Sequence, residues 1–139
     1  MPMKIYTDAI TLQSQKPRQI FNITTQVKAA MEKSGLRDGI ILVSSLHPNS
    51  ALIVNDNEPG LLQDLDKWLA EIAPQRDDYA HHGRFESNAS VHFQSLLLSH
   101  QVVVPFTETR LDLGPGQFVQ FVELDGLRPR RILVKVIGE

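Results

Sequence analysis

Apolar residues recur along the chain with two different periods, and the switches between those periods lay out its elements. From Met3 to Leu12 the side chains roughly alternate, with Ile5, Ile10 and Leu12 interleaved with Thr and Asp, which predicts a strand or hairpin arm. Pro17 then suits the first turn of a helix. Ile20, Ile23, Val27, Ala30 and Met31 follow at helical spacing, and Gly35 provides a left-handed stop. Two short β-branched runs, Ile40 to Val43 and Ala51 to Val54, flank a loop that carries His47 and read as strands paired with each other. Asn57, Glu58 and Pro59 supply a cap and an acidic first turn for a helix in which Leu61, Leu62, Leu65, Trp68, Leu69 and Ile72 recur until Pro74.

The polar stretch from Gln75 to Glu86, with His81 and His82, reads as a long loop of the kind that often serves function. Ser87 or Asn88 caps a helix through Leu98, with Phe93, Leu96 and Leu97 as its apolar side and Asn88, His92, Ser95 and Ser99 on another face. The remainder predicts strands: Val102 to Phe106, a turn around Thr109 to Gly116, Gln117 to Leu124, a tight hairpin-like reversal at Asp125-Gly126, and Arg130 to Ile137. In the last two strands Phe118, Val122 and Leu124 oppose Val119 and Phe121, and Ile132, Val134 and Val136 oppose Leu133 and Ile137. Strands apolar on both faces need cover on two sides, from a second sheet, helices or neighbouring subunits.

Composition narrows the class of protein. With 139 residues, 42% hydrophobic and 22% charged, the chain is expected to form a single globular domain over residues 1–139. A formal net charge of -2 leaves no broad basic field for a phosphate backbone, so nucleic acid is not an expected partner. The absence of cysteine excludes disulfides, thiolate metal sites and a cysteine nucleophile, so any metal must use nitrogen and oxygen ligands. No apolar stretch approaches the roughly 20 residues of a membrane span and no signal-peptide core opens the chain; a cytoplasmic protein without a membrane partner is the expectation. A phosphate-binding glycine loop, a dinucleotide fingerprint and a Gly-x-Ser-x-Gly elbow are all missing, which argues against a standard nucleotide-dependent enzyme.

The candidate chemistry lies in His47, His81 and His92, because imidazoles bind metals or shuttle protons near neutral pH and folding gathers residues distant in sequence. Pro48 after His47 favours an extended loop there, with Asn49 and Ser50 as polar neighbours; a turn that merely satisfies backbone groups is the alternative. His92 shares a helical face with Asn88 and points either into a cleft or to a carbonyl at the rim of the core. Asp56 and Glu58, with Asn55 and Asn57, can hold a hard cation or cap the following helix. Arg84, Arg128, Arg130, Arg131 and Lys135 can meet phosphate groups, line a solvated strand face or form subunit salt bridges.

In these segments the sequence resembles the YjbQ-like family. His47-Pro48-Asn49-Ser50-Ala51-Leu52 followed by Asn55-Asp56-Asn57 resembles the family's His-Thr-Thr/Ser-Ala-x-Leu and Asn-Glu-Asn, and Tyr79-Ala80-His81 its Tyr-x-His. Ser87-Asn88-Ala89-Ser90-Val91-His92 is similar to Asp-Asn-Ala-x-x-His, and Leu113-Gly114-Pro115-Gly116-Gln117 to Leu-Gly-x-Trp-Gln. Glu123-Leu124-Asp125-Gly126 and Arg130-Arg131 complete the series, and the common order of these motifs carries the likeness. Pro48, Asn49, Ser87 and Gly116 depart from the pattern by removing a hydroxyl pair, a carboxylate and an aromatic side chain.

The resemblance implies an α+β fold with a β-sandwich-like core and flanking helices, packed as a homotrimer whose sheets meet around the threefold axis. It implies a pocket of His47, His81 and His92 with Gln117 beside them; Asn49 and Asn88, whose amides are able to orient a ligand, are read from the residues themselves as further contacts. The same histidines are candidate ligands for a divalent metal ion such as zinc. The implied activity is a weak, secondary thiamine phosphate synthase activity on small phosphorylated ligands. A non-catalytic trimer binding a metal or a small anion is the alternative.

Overall fold

The computed structural model describes residues 2–81 and 88–139. Among these residues eight strands and three helices follow one another in the order β1 (Lys4–Gln13), β2 (Gln19–Asn22), α1 (Thr24–Ser34), β3 (Gly39–Ser45), β4 (Ser50–Asn55), α2 (Pro59–Ile72), α3 (Ala89–Leu98), β5 (Gln101–Thr107), β6 (Arg110–Leu111), β7 (Phe118–Glu123) and β8 (Pro129–Gly138). They form a larger sheet ordered β1-β8-β3-β5-β6 and a smaller one ordered β2-β7-β4. All the pairings are antiparallel.

The main core lies between the two sheets. Ile41, Val43, Val104, Ile132, Val134 and Val136 of the larger sheet meet Leu52, Val119 and Phe121 of the smaller one, and Val27, Ala30 and Met31 of α1 close the packing. The other face of the smaller sheet carries Ala51 and Val122 against Leu69 of α2, with Leu65, Val91 and Leu98 alongside. Strand β7 is therefore covered on both faces within one chain, as its apolar pattern requires. This is an α+β fold with a sandwich-like core and flanking helices.

Among the described residues the outer face of the larger sheet has no such cover. Register places Ile5, Ile137, Ile40 and Pro105 in one row and Thr7, Lys135, Leu42 and Val103 in the next. Ile5, Ile40 and Val103 of these rows are exposed.

Several local expectations gave way to long-range pairing. The helix expected from Pro17 begins only at Thr24, because Gln19–Asn22 pairs with β7 and Ile20 and Phe21 gain both a ladder and apolar cover. Gly35 does end α1 in the left-handed region, at φ 71°. Strands β3 and β4 do not pair with each other: β3 lies between β8 and β5, whereas β4 pairs with β7 in the other sheet. The Asp125-Gly126 turn is not a hairpin either, since it carries the chain from β7 across to β8 in the opposite sheet. At α2 the expectation holds, with Glu58 accepting from the Gly60 and Leu61 amides and Pro59 at the first helical position.

Helix α3 turns the opposite way from its apolar pattern. Phe93, Leu96 and Leu97 are exposed, while Ala89, Ser90, Gln94 and Ser95 are buried. The buried polar groups are satisfied: Gln94 Nε2 donates to the Leu69 and Ala73 carbonyls, Ser95 Oγ to the Ser50 carbonyl, and Ser90 Oγ to Gln75 Oε1. Specific hydrogen bonds to the end of α2 and the start of β4 thus outweigh the placement of three apolar side chains. The expected Ser87 cap lies outside the described residues; Asn88 occupies the cap position without a side-chain cap bond.

Candidate functional site

The connection from β3 to β4 carries the chain from one sheet to the other, and a ring of hydroxyl bonds holds its shape. The His47 amide donates to Ser45 Oγ at 3.3 Å, the Ser45 and Ser50 hydroxyls are 2.5 Å apart, and Ser50 Oγ donates to the His47 carbonyl at 3.1 Å. This arrangement presents the His47 ring toward β8, where Nε2 accepts the Arg131 backbone N–H at 3.0 Å. The neutral ring therefore carries its proton on Nδ1. Burial lowers the pKa of His47, the nearby Arg130 lowers it further and Glu123 partly opposes them, so the ring is held neutral.

His92 projects from α3 to the same loop. Its Nδ1 lies 3.2 Å from the Pro48 carbonyl oxygen, and because a carbonyl only accepts, Nδ1 is the protonated nitrogen. His81 approaches from the polar loop and stands edge-on to His92, with ring centroids 5.0 Å apart and planes at 84°. Its Nε2 donates to Asn88 Oδ1 at 2.9 Å. A cleft of about 370 Å³ lies between α3 and the β3–β4 loop, lined by His47, Pro48, His92, Ser95, Leu96, Ser99 and His100. Beyond His47 a shallower hollow of about 420 Å³ is bounded by Thr11, Gln13, Arg130 and Arg131.

Folding thus brings His47 and His92 to one cleft and places His81 against His92. It does not bring Gln117 there. Gln117 Oε1 accepts the Gly114 N–H and closes a turn at the Phe118–Asn55 end of the β7–β4 ladder, whereas His47 adjoins the Ser50–Glu123 end. The two ends are about 17 Å apart along the strand. Asn49 is buried beside Asp125, its Nδ2 donating to Asp125 Oδ2 at 3.4 Å, and Asn88 positions His81. Among the described residues no three His, Cys, Asp or Glu side chains converge as a metal site. His82 and Arg84 lie outside the described residues.

Two contributors escaped the sequence pattern. His100 follows a helix end, where a polar residue reads as solvated. Arg130 reads as part of a basic strand, but it is buried in a bidentate pair with Glu123 beside His47.

Fold and site together define a small α+β protein with two facing sheets and a histidine-lined cleft where the chain crosses between them. Residues 8–139 match the family model described as UPF0047 protein YjbQ-like, and the chain belongs to that family. A UPF0047 protein of Archaeoglobus fulgidus is 39% identical over 92% of this chain and 98% of its own length. One from Methanothermobacter thermautotrophicus is 37% identical over 99% of this chain and 95% of its own. The crystal structure of a YbjQ-like protein of unknown function from Sulfolobus solfataricus superposes with a TM-score of 0.90 at 33% identity, covering 99% of this chain and all of that one. No helix among the described residues is long and apolar enough to cross a membrane.

Proposed function

We propose that the protein binds a small phosphorylated ligand in the histidine-lined cleft and transfers protons at it through His92 and His81. The observation that carries this reading is the imidazole pair at 5.0 Å, in which His92 Nδ1 is anchored on the Pro48 carbonyl, leaving Nε2 to exchange a proton, and His81 is held edge-on to that ring by Asn88. His47 faces the pair's cleft with Nδ1–H as a fixed donor, and Arg131 brings positive charge to the adjoining hollow. The reaction that family resemblance implies joins a pyrimidine diphosphate to a thiazole phosphate. The bond from the pyrimidine methylene carbon to the pyrophosphate oxygen breaks, the thiazole nitrogen bonds to that carbon, and pyrophosphate leaves. Arg130 is already paired with Glu123, so its charge is not available to pyrophosphate, which fits a weak and secondary activity. Thiamine phosphate formation by the purified protein, lost in His92→Ala and His81→Ala, supports the reading; full activity in both variants overturns it.

A second reading is a divalent metal site, with zinc as the natural test ion. Metal-bound histidines usually donate their remaining ring N–H to a carbonyl or amide oxygen, as His92 and His81 do to Pro48 and Asn88. His47 joins such a site only by giving up its bond from the Arg131 amide, so two imidazoles with water or ligand is the arrangement that fits. Elemental analysis of protein purified without chelator, with His81→Ala and His92→Ala beside the wild type, decides it. We also propose a homotrimer, supported by the uncovered apolar rows of the larger sheet and the exposed Phe93, Leu96 and Leu97 of α3.

A further inference from the structure

We infer that a second ligand site lies under α2, beside the open edge of the smaller sheet, and takes a neutral, largely apolar small molecule bearing an N–H or O–H donor. A hollow of about 350 Å³ is walled there mainly by Ile53 and Val54 of β4, Leu62 and Leu65 of α2, Leu98 of α3 and Val102 of β5, with the polar Asn55, Asp56 and Gln101 also on its lining. It shares no lining residue with the histidine cleft.

One polar side chain lines this hydrocarbon surface from β7. Gln120, paired with Ile53 across the ladder, is fully buried. Its Nε2 donates to the Asp56 carbonyl at 3.3 Å and to Asn57 Oδ1 at 2.9 Å. The Asp56 carbonyl can only accept, so that bond fixes which way the amide points. Oε1 is left buried without a hydrogen-bond partner among the described residues. An unsatisfied acceptor in apolar surroundings is costly, and a ligand that supplies a donor removes the cost.

The strand edge adds a second polar feature. Strand β4 is at the edge of its sheet, and the Leu52 N–H turns away from β7 to reach the Ser99 carbonyl at 3.1 Å. Alternation in an antiparallel ladder turns the Val54 N–H and carbonyl the same way, toward the hollow. Aliphatic walls with a few fixed polar groups form a small-molecule pocket, and a full charge beside them would be penalised by desolvation. The ligand is accordingly neutral.

The test compares indole with benzofuran, which has the same shape but an oxygen in place of the N–H. Both are titrated into the full-length protein and followed by amide NMR shifts. Indole is expected to bind about tenfold more tightly and to shift Ile53, Leu65 and Gln120, because benzofuran leaves the amide oxygen unpaired. Gln120→Leu is expected to bind the two equally, and Val102→Phe, which fills the hollow, to bind neither. The second variant keeps the test decisive if the first fails to fold. Equal affinities in the wild type, shifts confined to other regions, or no binding of either compound at millimolar concentration would overturn the inference. So would hollow signals that depend on protein concentration alone, since a second copy of the chain would then be the occupant.

Discussion

Arg130 Nε donates to Glu123 Oε1 at 2.6 Å and its Nη2 to Glu123 Oε2 at 3.0 Å, in the interior between the two sheets, where the side chains are 5% and 0% exposed. Arg130 Nη2 also donates to the Asp125 carbonyl at 2.8 Å, so a single guanidinium ties the end of β7, the following turn and the start of β8 together. The arrangement fixes the segment whose Arg131 amide holds His47. Replacing Glu123 by Gln leaves a buried cation without its countercharge, and the expected loss is about 3–5 kcal/mol of unfolding free energy. A Glu123→Leu, Arg130→Met double variant should recover most of that loss in urea denaturation, because it buries no unpaired charge.

The protonation of His47 gives a prediction with a definite sign. Its folded pKa is below that of a free histidine, so over the interval between the two values the unfolded chain binds a proton that the folded chain does not. Its contribution to stability is therefore complete above about pH 6.5 and is lost as pH falls through the folded pKa. His47→Gln abolishes the titration, so the stability advantage of the wild type should shrink between about pH 7.5 and pH 5. A gap that stays constant across this range in denaturant titrations would contradict the assignment.

Glycine at position 39 is dictated by the approach of β8. A Cβ there would run into the Ile137 carbonyl oxygen and come within 2.8 Å of Gly138 Cα, both of them backbone atoms that cannot turn aside. Gly39→Ala is expected to cost about 3 kcal/mol. Gly116→Ala, where a Cβ meets nothing within 4 Å, should stay within about 0.5 kcal/mol of the wild type. Thermal unfolding of the pair separates a steric requirement from a general effect of removing glycine.

Subunit association can be read from one exposed position. Val103 lies in the outer rows of the larger sheet and is 56% exposed in the single chain. Val103→Glu should dissociate the proposed trimer without unfolding the chain, since the side chain does not face the core between the sheets. Light scattering coupled to size exclusion measures this directly. A wild-type protein that already has the mass of one chain would remove the trimer from consideration.

The sequence by itself determined those features whose causes are local. Alternation set β1, the Glu58-Pro59 pair set the start of α2, Gly35 set the end of α1, and two-faced apolarity marked β7 as a strand needing double cover. The order of short motifs pointed to the family, and the histidines were visible as chemistry without a location. Tertiary structure alone decided that β3 and β4 belong to different sheets, that Gln19–Asn22 is a strand, and that α3 buries Gln94 and Ser95 rather than its leucines. It also decided that Gln117 stands away from the histidines and that His100 stands with them. The reason is physical: periodicity records which side chains share a face, whereas hydrogen-bond partners far along the chain decide where that face points and what it meets.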